Sequence, residues 1–160
     1  FGLVTISEAM TFRHLRQDGL AAAIARRGDP SVRLDVVTAP RFDQQARIEA
    51  VNRMLRGPDR PTAIVALFDE LALTVMEEAA RAGFSVPREL SVIGFDNIAA
   101  SAYAPPGLTT FDASIRQCAR EIADMLLTVI AEKPGKPLTR LIRPTLVARA
   151  SHGPAPQTRS

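Results

Sequence analysis

Four short apolar runs, separated by amphipathic stretches, set the rhythm of the chain. Gly2–Ile6, Val32–Thr38, Thr62–Leu67 and Leu90–Phe95 are each bounded by turn residues and read as buried strands. Between them, Thr11–Arg27 places Phe12, Leu15, Leu20, Ala23 and Ile24 at helical spacing and stops at Gly28. Pro40–Arg56 does the same with Phe42, Ala46, Ala50, Val51, Met54 and Leu55, and Gly57-Pro58 ends it. A third helix opens at Asp69 and closes at Gly83. The order is β-α-β-α-β-α-β, which right-handed crossovers turn into an α/β fold: a doubly wound parallel sheet in a three-layer α/β/α sandwich. In such a sheet ligands sit outside the carboxyl ends of the strands. Phe68, Asp69 and Asp96, each just past a strand end, are therefore expected at one crevice.

The pattern changes after Leu108-Thr109-Thr110. Ile115, Cys118, Ala119, Ile122, Met125, Leu126, Val129 and Ile130 make an apolar stripe on a helix from about Ala113 to Glu132. Lys133-Pro134-Gly135 closes it. Leu138–Ala148 alternates like a strand, with Pro144 marking an edge or a bulge. The tail, 151–160, is expected to be disordered.

Composition changes this picture little. The 160 residues are 46% hydrophobic and 23% charged, ordinary for a globular chain. The net charge of +3 comes from scattered arginines without interleaved aromatics, so nucleic-acid binding by this chain is not indicated. A single cysteine forms no internal disulfide, which fits a reducing, cytoplasmic setting. No apolar run is long enough to span a bilayer.

Candidate chemistry is sparse. The sequence has no Gly-rich phosphate loop, no metal-spaced Cys/His set and no nucleophile elbow. His14 and His152 are isolated, and Cys118 reads as a packing thiol. Asp69 and Asp96 could form a carboxylate pair for acid–base work, but Asp69 reads first as the N-cap of its helix. Asp96, in a turn with no helix pattern behind it, reads as a ligand contact. No catalytic residue, cofactor or metal is expected.

One stretch is more specific than the rest. PTAIVALFDELALTVMEEAARAGFSVPRELSVIGFDN, followed by AYAPPGLTT, resembles the effector-binding domain of the LacI/GalR family of transcriptional regulators, a periplasmic-binding-protein-like lobe. Less sharply, the likeness runs from Phe1 to about Ala150. It implies that 1–110 form the C-terminal lobe, that 111–136 cross into the other lobe, and that 137–150 return. It implies a small-molecule effector held by Arg16, Phe42, Phe68, Asp69 and Asp96. Arg16 matches by preceding Gly19 by three; Arg13 fits a solvated face better. Phe42 matches a stacking aromatic, or equally a helix-start core residue. The resemblance also implies a homodimer through Leu73, Met76 and Tyr103; the alternative makes Leu73 and Met76 plain core residues, for Met76 equally. Operator DNA would be contacted only by a helix-turn-helix segment outside this sequence. The alternative is a solute-binding protein of a sugar-type transporter. Two departures, Phe68 for the family's usual Asn and Ala113 near its usual Gln, remove hydrogen-bonding groups and point to an effector that is sugar-like or less polar.

Overall fold

The computed structural model describes residues 1–156. The elements in chain order are β1 (Gly2–Ile6), α1 (Thr11–Arg27), β2 (Asp35–Ala39), α2 (Gln44–Arg56), β3 (Ala63–Ala66), α3 (Asp69–Arg81), β4 (Ser91–Phe95), α4 (Ala99–Tyr103), β5 (Thr109–Asp112), α5 (Ile115–Glu132) and β6 (Thr145–Val147). They build one six-stranded sheet in the order β2-β1-β3-β4-β5-β6. The first five strands are parallel, with Val4 opposite both Val37 and Ala66, and β6 pairs antiparallel with β5.

The chain winds outward from β1 to β2, then returns past β1 to β3, β4 and β5. The direction reverses between β1 and β3, the switch point at which doubly wound sheets bind ligands. With right-handed crossovers, α1 covers one face while α2 and α3 cover the other. The core lies between the sheet and α2–α3. It joins Val4, Ile6, Ile64 and Val92 from the strands to Val51, Met54, Leu55, Leu71, Val75 and Ala79 from the helices. Gly2 permits this closeness, since a Cβ there would lie 2.6 Å from Met54 Sδ and 2.9 Å from Pro61 Cγ.

Several boundaries differ from the sequence expectation. β2 starts at Asp35 rather than Val32. α2 starts at Gln44 rather than Pro40, because Asp43 caps it by accepting from the Ala46 N–H at 2.9 Å. Pro40–Asp43 is thereby left as a loop at the carboxyl end of β2. α1 turns three of its five predicted apolar residues outward: Phe12, Leu15 and Ala23 are exposed, Leu15 at 67%, whereas Leu20 and Ile24 are half-buried together with Arg13, Arg16 and Gln17. The expected strand over 138–148 shrinks to Thr145–Val147; Pro144, with no N–H to donate, stands directly before it.

The expectation of a disordered tail from residue 151 is corrected for its first residues. Ser151 is fully buried: its Oγ donates to the Val92 carbonyl at 2.6 Å and accepts the Thr109 N–H at 2.8 Å. The Val92 N–H donates to the Ser151 carbonyl, and the Gly153 N–H donates to Ser91 Oγ at 3.1 Å. His152, read as isolated, lies 2.8 Å through Nδ1 from Thr109 Oγ1. Residues 157–160 lie outside the described ones. The α5 stripe has no buried member; Ile115, Ile122, Leu126 and Ile130 are 58–68% exposed. Among the described residues no helix is long and apolar enough to cross a membrane.

Candidate functional site

Four strand ends meet at the switch point, and each delivers a side chain to one cleft of about 250 Å³ lined by Phe12, Arg16, Arg41, Phe68 and Asp96. Phe12 and Arg16 come from the first turns of α1, behind β1. Arg41 follows β2, Phe68 precedes α3 behind β3, and Asp96 is the residue after β4. Short parallel strands with short connections put these five within reach of one another although they span residues 12–96.

Arg16 is fixed on three sides. A guanidinium N–H donates to the Leu67 carbonyl at 2.5 Å, the guanidinium lies 3.5 Å from the centroid of Phe95 and 5.1 Å from that of Phe12, and Asp96 attracts it electrostatically. Stacking on ring faces uses the π-cloud as a partner for the cation. Burial lowers the affinity of Arg16 for its proton, and Asp96 partly restores it. The reciprocal holds for Asp96: burial raises its carboxyl above the ordinary range, and Arg16 pulls against that shift. Asp96 stands at φ 108° and Asn97 at φ 52°, both in the left-handed region. The turn is held by the Asp96 N–H donating to the Phe111 carbonyl at 2.8 Å. Arg149 holds its far side, donating at 2.7 Å each to Asn97 Oδ1 and the Leu108 carbonyl, and at 3.1 Å to Ser101 Oγ.

Arg41 is not legible as a site residue when the apolar pattern starts the helix at Pro40. Asp43 was the available signal, since an aspartate just before an amphipathic run marks the helix start behind it. The Arg41 N–H donates to Glu8 Oε1 at 2.8 Å, which holds the Glu8 carboxyl below its ordinary range, and Arg47 donates to the Arg41 carbonyl. The Arg41 guanidinium lies 5.3 Å from the Phe42 centroid and the same distance from that of Phe68. Phe12 was read as part of an inward helix face and instead rims the cleft.

Of the expected site residues, Arg16, Phe68 and Asp96 are brought together. Phe42 is not in the lining; it projects from the β2–α2 loop, 88% exposed, and serves neither as helix nor as core. Asp69 is corrected in both roles. It is the first residue of α3, not its cap, and it is fully buried. Its Oδ2 accepts the Ile98 N–H at 2.9 Å and its Oδ1 accepts the Thr110 hydroxyl, so the carboxylate joins the β4–α4 turn to β5 and does not face the cleft. The same oxygen explains Gly94, where a Cβ would lie 2.2 Å from Asp69 Oδ1. Met76, 7% exposed, belongs to the core; Leu73 packs half-buried against that core, and Tyr103 is 86% exposed at the end of α4. Among the described residues no group of three or more His, Cys, Asp or Glu could hold a metal ion.

Comparison with known proteins agrees with this architecture. Residues 1–152 match the periplasmic binding protein-like domain family. The HTH-type transcriptional repressor PurR of Glaesserella parasuis serovar 5 is 33% identical over 142 residues, covering 85% of this chain and 42% of that protein. Its counterpart CytR of Escherichia coli K12 is 31% identical over 153 residues, 94% of this chain and 44% of that one. The chain thus spans less than half the length of these curated relatives. A solved LacI family transcriptional regulator from Enterococcus faecium, with bound ribose, superposes with a TM-score of 0.80 at 26% identity over 96% of this chain and 56% of that one. The sequence motifs, the switch-point cleft and these likenesses converge: the chain belongs to the periplasmic-binding-protein-like domain family, in the form carried by LacI-family transcriptional regulators.

Proposed function

We propose that this chain is one lobe of the effector-sensing domain of a LacI-type regulator, and that a small molecule bound at the Arg16–Asp96 cleft controls operator binding by the intact protein. The observation that carries the reading is the placement of a cation, a carboxylate and two rings at the switch point of a parallel sheet. A hydroxyl or amide of the effector would accept from Arg16 and donate to Asp96, while Phe12 and Phe68 would bear its apolar face. The ring of Phe68 presents no hydrogen-bonding group, which supports a ligand that is sugar-like or less polar. The repressor names of the relatives favour a regulator over a transport receptor. The reading includes no catalysis, a cytoplasmic setting, and DNA contact through a segment outside this sequence.

The other lobe would complete the crevice, and residues 113–132, with their exposed stripe, would pack in it. The intact protein would act as a homodimer, with Tyr103 and the exposed side of α3 around Leu73 at the contact. Ligand closure would then shift the dimer between DNA-competent and incompetent arrangements. Titration calorimetry against sugars, purines and aromatic acids tests the site. Asp96→Ala should weaken whichever ligand binds by about tenfold or more, the worth of one charge-assisted hydrogen bond. Unchanged affinity in that variant would remove the cleft from the proposal.

A further inference from the structure

We infer that the effector carries an oxyanion on a flat ring, and that Arg41 is the residue that selects it. This rests on the sensor reading above and narrows its ligand class. The cleft is lined by two guanidinium groups but one carboxylate. Arg16 is the guanidinium that attracts Asp96 most, and it is also engaged by the Leu67 carbonyl and the Phe95 ring. Asp96 attracts Arg41 as well, but among the described residues the Arg41 guanidinium has neither a hydrogen-bond acceptor nor a carboxylate within ion-pair distance.

The other acids near this mouth are committed elsewhere. Both oxygens of Asp69 are bonded to Ile98 and Thr110. Glu8 takes the main-chain N–H of Arg41, not its side chain. Glu70 is exposed on α3. With two guanidinium groups facing one carboxylate, the positive sign is in excess.

Arg41 is also held in place. Its N–H and carbonyl are tied to Glu8 and Arg47, and its guanidinium lies 5.3 Å from the centroid of each of the Phe42 and Phe68 rings. A guanidinium ordered in this way, half-buried and without an acceptor of its own, is matched by a carboxylate or phosphate through paired N–H donors. Sugar hydroxyls do not neutralise it. Phe12 and Phe68 on the lining suit the face of a ring, and about 250 Å³ admits one ring rather than several.

Amide shift titration of the 160-residue chain by two-dimensional NMR tests this, with benzoate, phenyl phosphate, benzyl alcohol, ribose and adenosine as probes. Benzoate or phenyl phosphate should move the amides of Arg41, Phe68 and Asp96 and bind at least about tenfold tighter than benzyl alcohol. Whichever of the two binds tighter identifies the oxyanion as carboxylate or phosphate. Arg41→Met should reduce the preference over benzyl alcohol to about onefold, Arg41→Lys should retain most of it, and the amide spectrum of each variant reports its fold. If ribose, adenosine or benzyl alcohol binds at these amides as tightly as the anions, or Arg41→Met keeps the preference, the inference is overturned while the sensor reading stands. If no probe moves these amides, both fall.

Discussion

Replacing Asp69 by alanine should be among the most damaging single changes in this chain. The carboxylate is fully buried and satisfies two donors that nothing else reaches, the Ile98 N–H at 2.9 Å and the Thr110 hydroxyl. Removing it leaves both donors without a partner in the interior, at about 1–3 kcal/mol each. It also removes a negative charge from the first turn of α3, worth about 0.3–1 kcal/mol. The expected loss is about 2–7 kcal/mol, a large part of the roughly 5–15 kcal/mol by which a domain is stable. Asp69→Asn retains the shape but turns an NH2 toward one of the donors, so its cost should fall near half of this. Thr110→Val removes one of the stranded donors, and the double variant Asp69→Ala/Thr110→Val should cost less than the sum of the singles by about 1 kcal/mol or more. Urea unfolding followed by circular dichroism measures all four proteins. An Asp69→Ala loss below about 1 kcal/mol, or strict additivity in the cycle, would refute the assignment of Asp69 as the internal tie between β5 and the β4–α4 turn.

Three further outcomes follow from the geometry. Gly94→Ala forces a methyl group to within 2.2 Å of Asp69 Oδ1 and 3.1 Å of Leu108 Cδ2; overpacking of this kind costs about 1–3 kcal/mol, and a melting temperature within about 2 °C of the parent would contradict it. Ser151→Ala leaves the Thr109 N–H unpaired and should cost about 2 kcal/mol, measured by urea midpoint, whereas a truly disordered tail would show no change. Because burial raises the Asp96 pKa, its stabilising contribution is full below its unfolded value of about 3.9 and is lost as pH rises through the higher folded value. Asp96→Asn should therefore gain on the parent as pH rises through that window and hold a constant difference above it; a difference that shrinks with rising pH would reverse the sign.

The sequence pattern was most informative where burial was complete. The parallel strands and Gly28 and Gly83 as helix ends are legible in apolar runs and the residues punctuating them, whereas Arg16 as a cleft residue is implied only by the family resemblance. It was misleading where a helix is only partly covered. On α1 the inward face is built from Arg13, Arg16 and Gln17 as well as Leu20 and Ile24, so apolar positions alone capture only part of that face and hide Phe12 at the cleft. At α2 the apolar reading of Phe42 outweighed the capping signal of Asp43 and absorbed Arg41 into a helix that begins three residues later. Asp69 fails differently. The position of an acid at a helix start is visible in sequence, but its partners Ile98 and Thr110 lie 29 and 41 residues away, and only the assembled sheet brings them together.

The two outermost strands also bear on how copies of this chain meet in solution. A free strand edge is a template for another chain's backbone, and natural sheets blunt it with charge, brevity or proline. At one border β2 opens with an exposed Asp35, which places a charge where a foreign strand would dock. At the other, β6 has three residues and begins directly after Pro144, whose nitrogen offers no donor. Neither border gives a long, uninterrupted ladder, so the sheet resists growth into fibres or edge-to-edge aggregates.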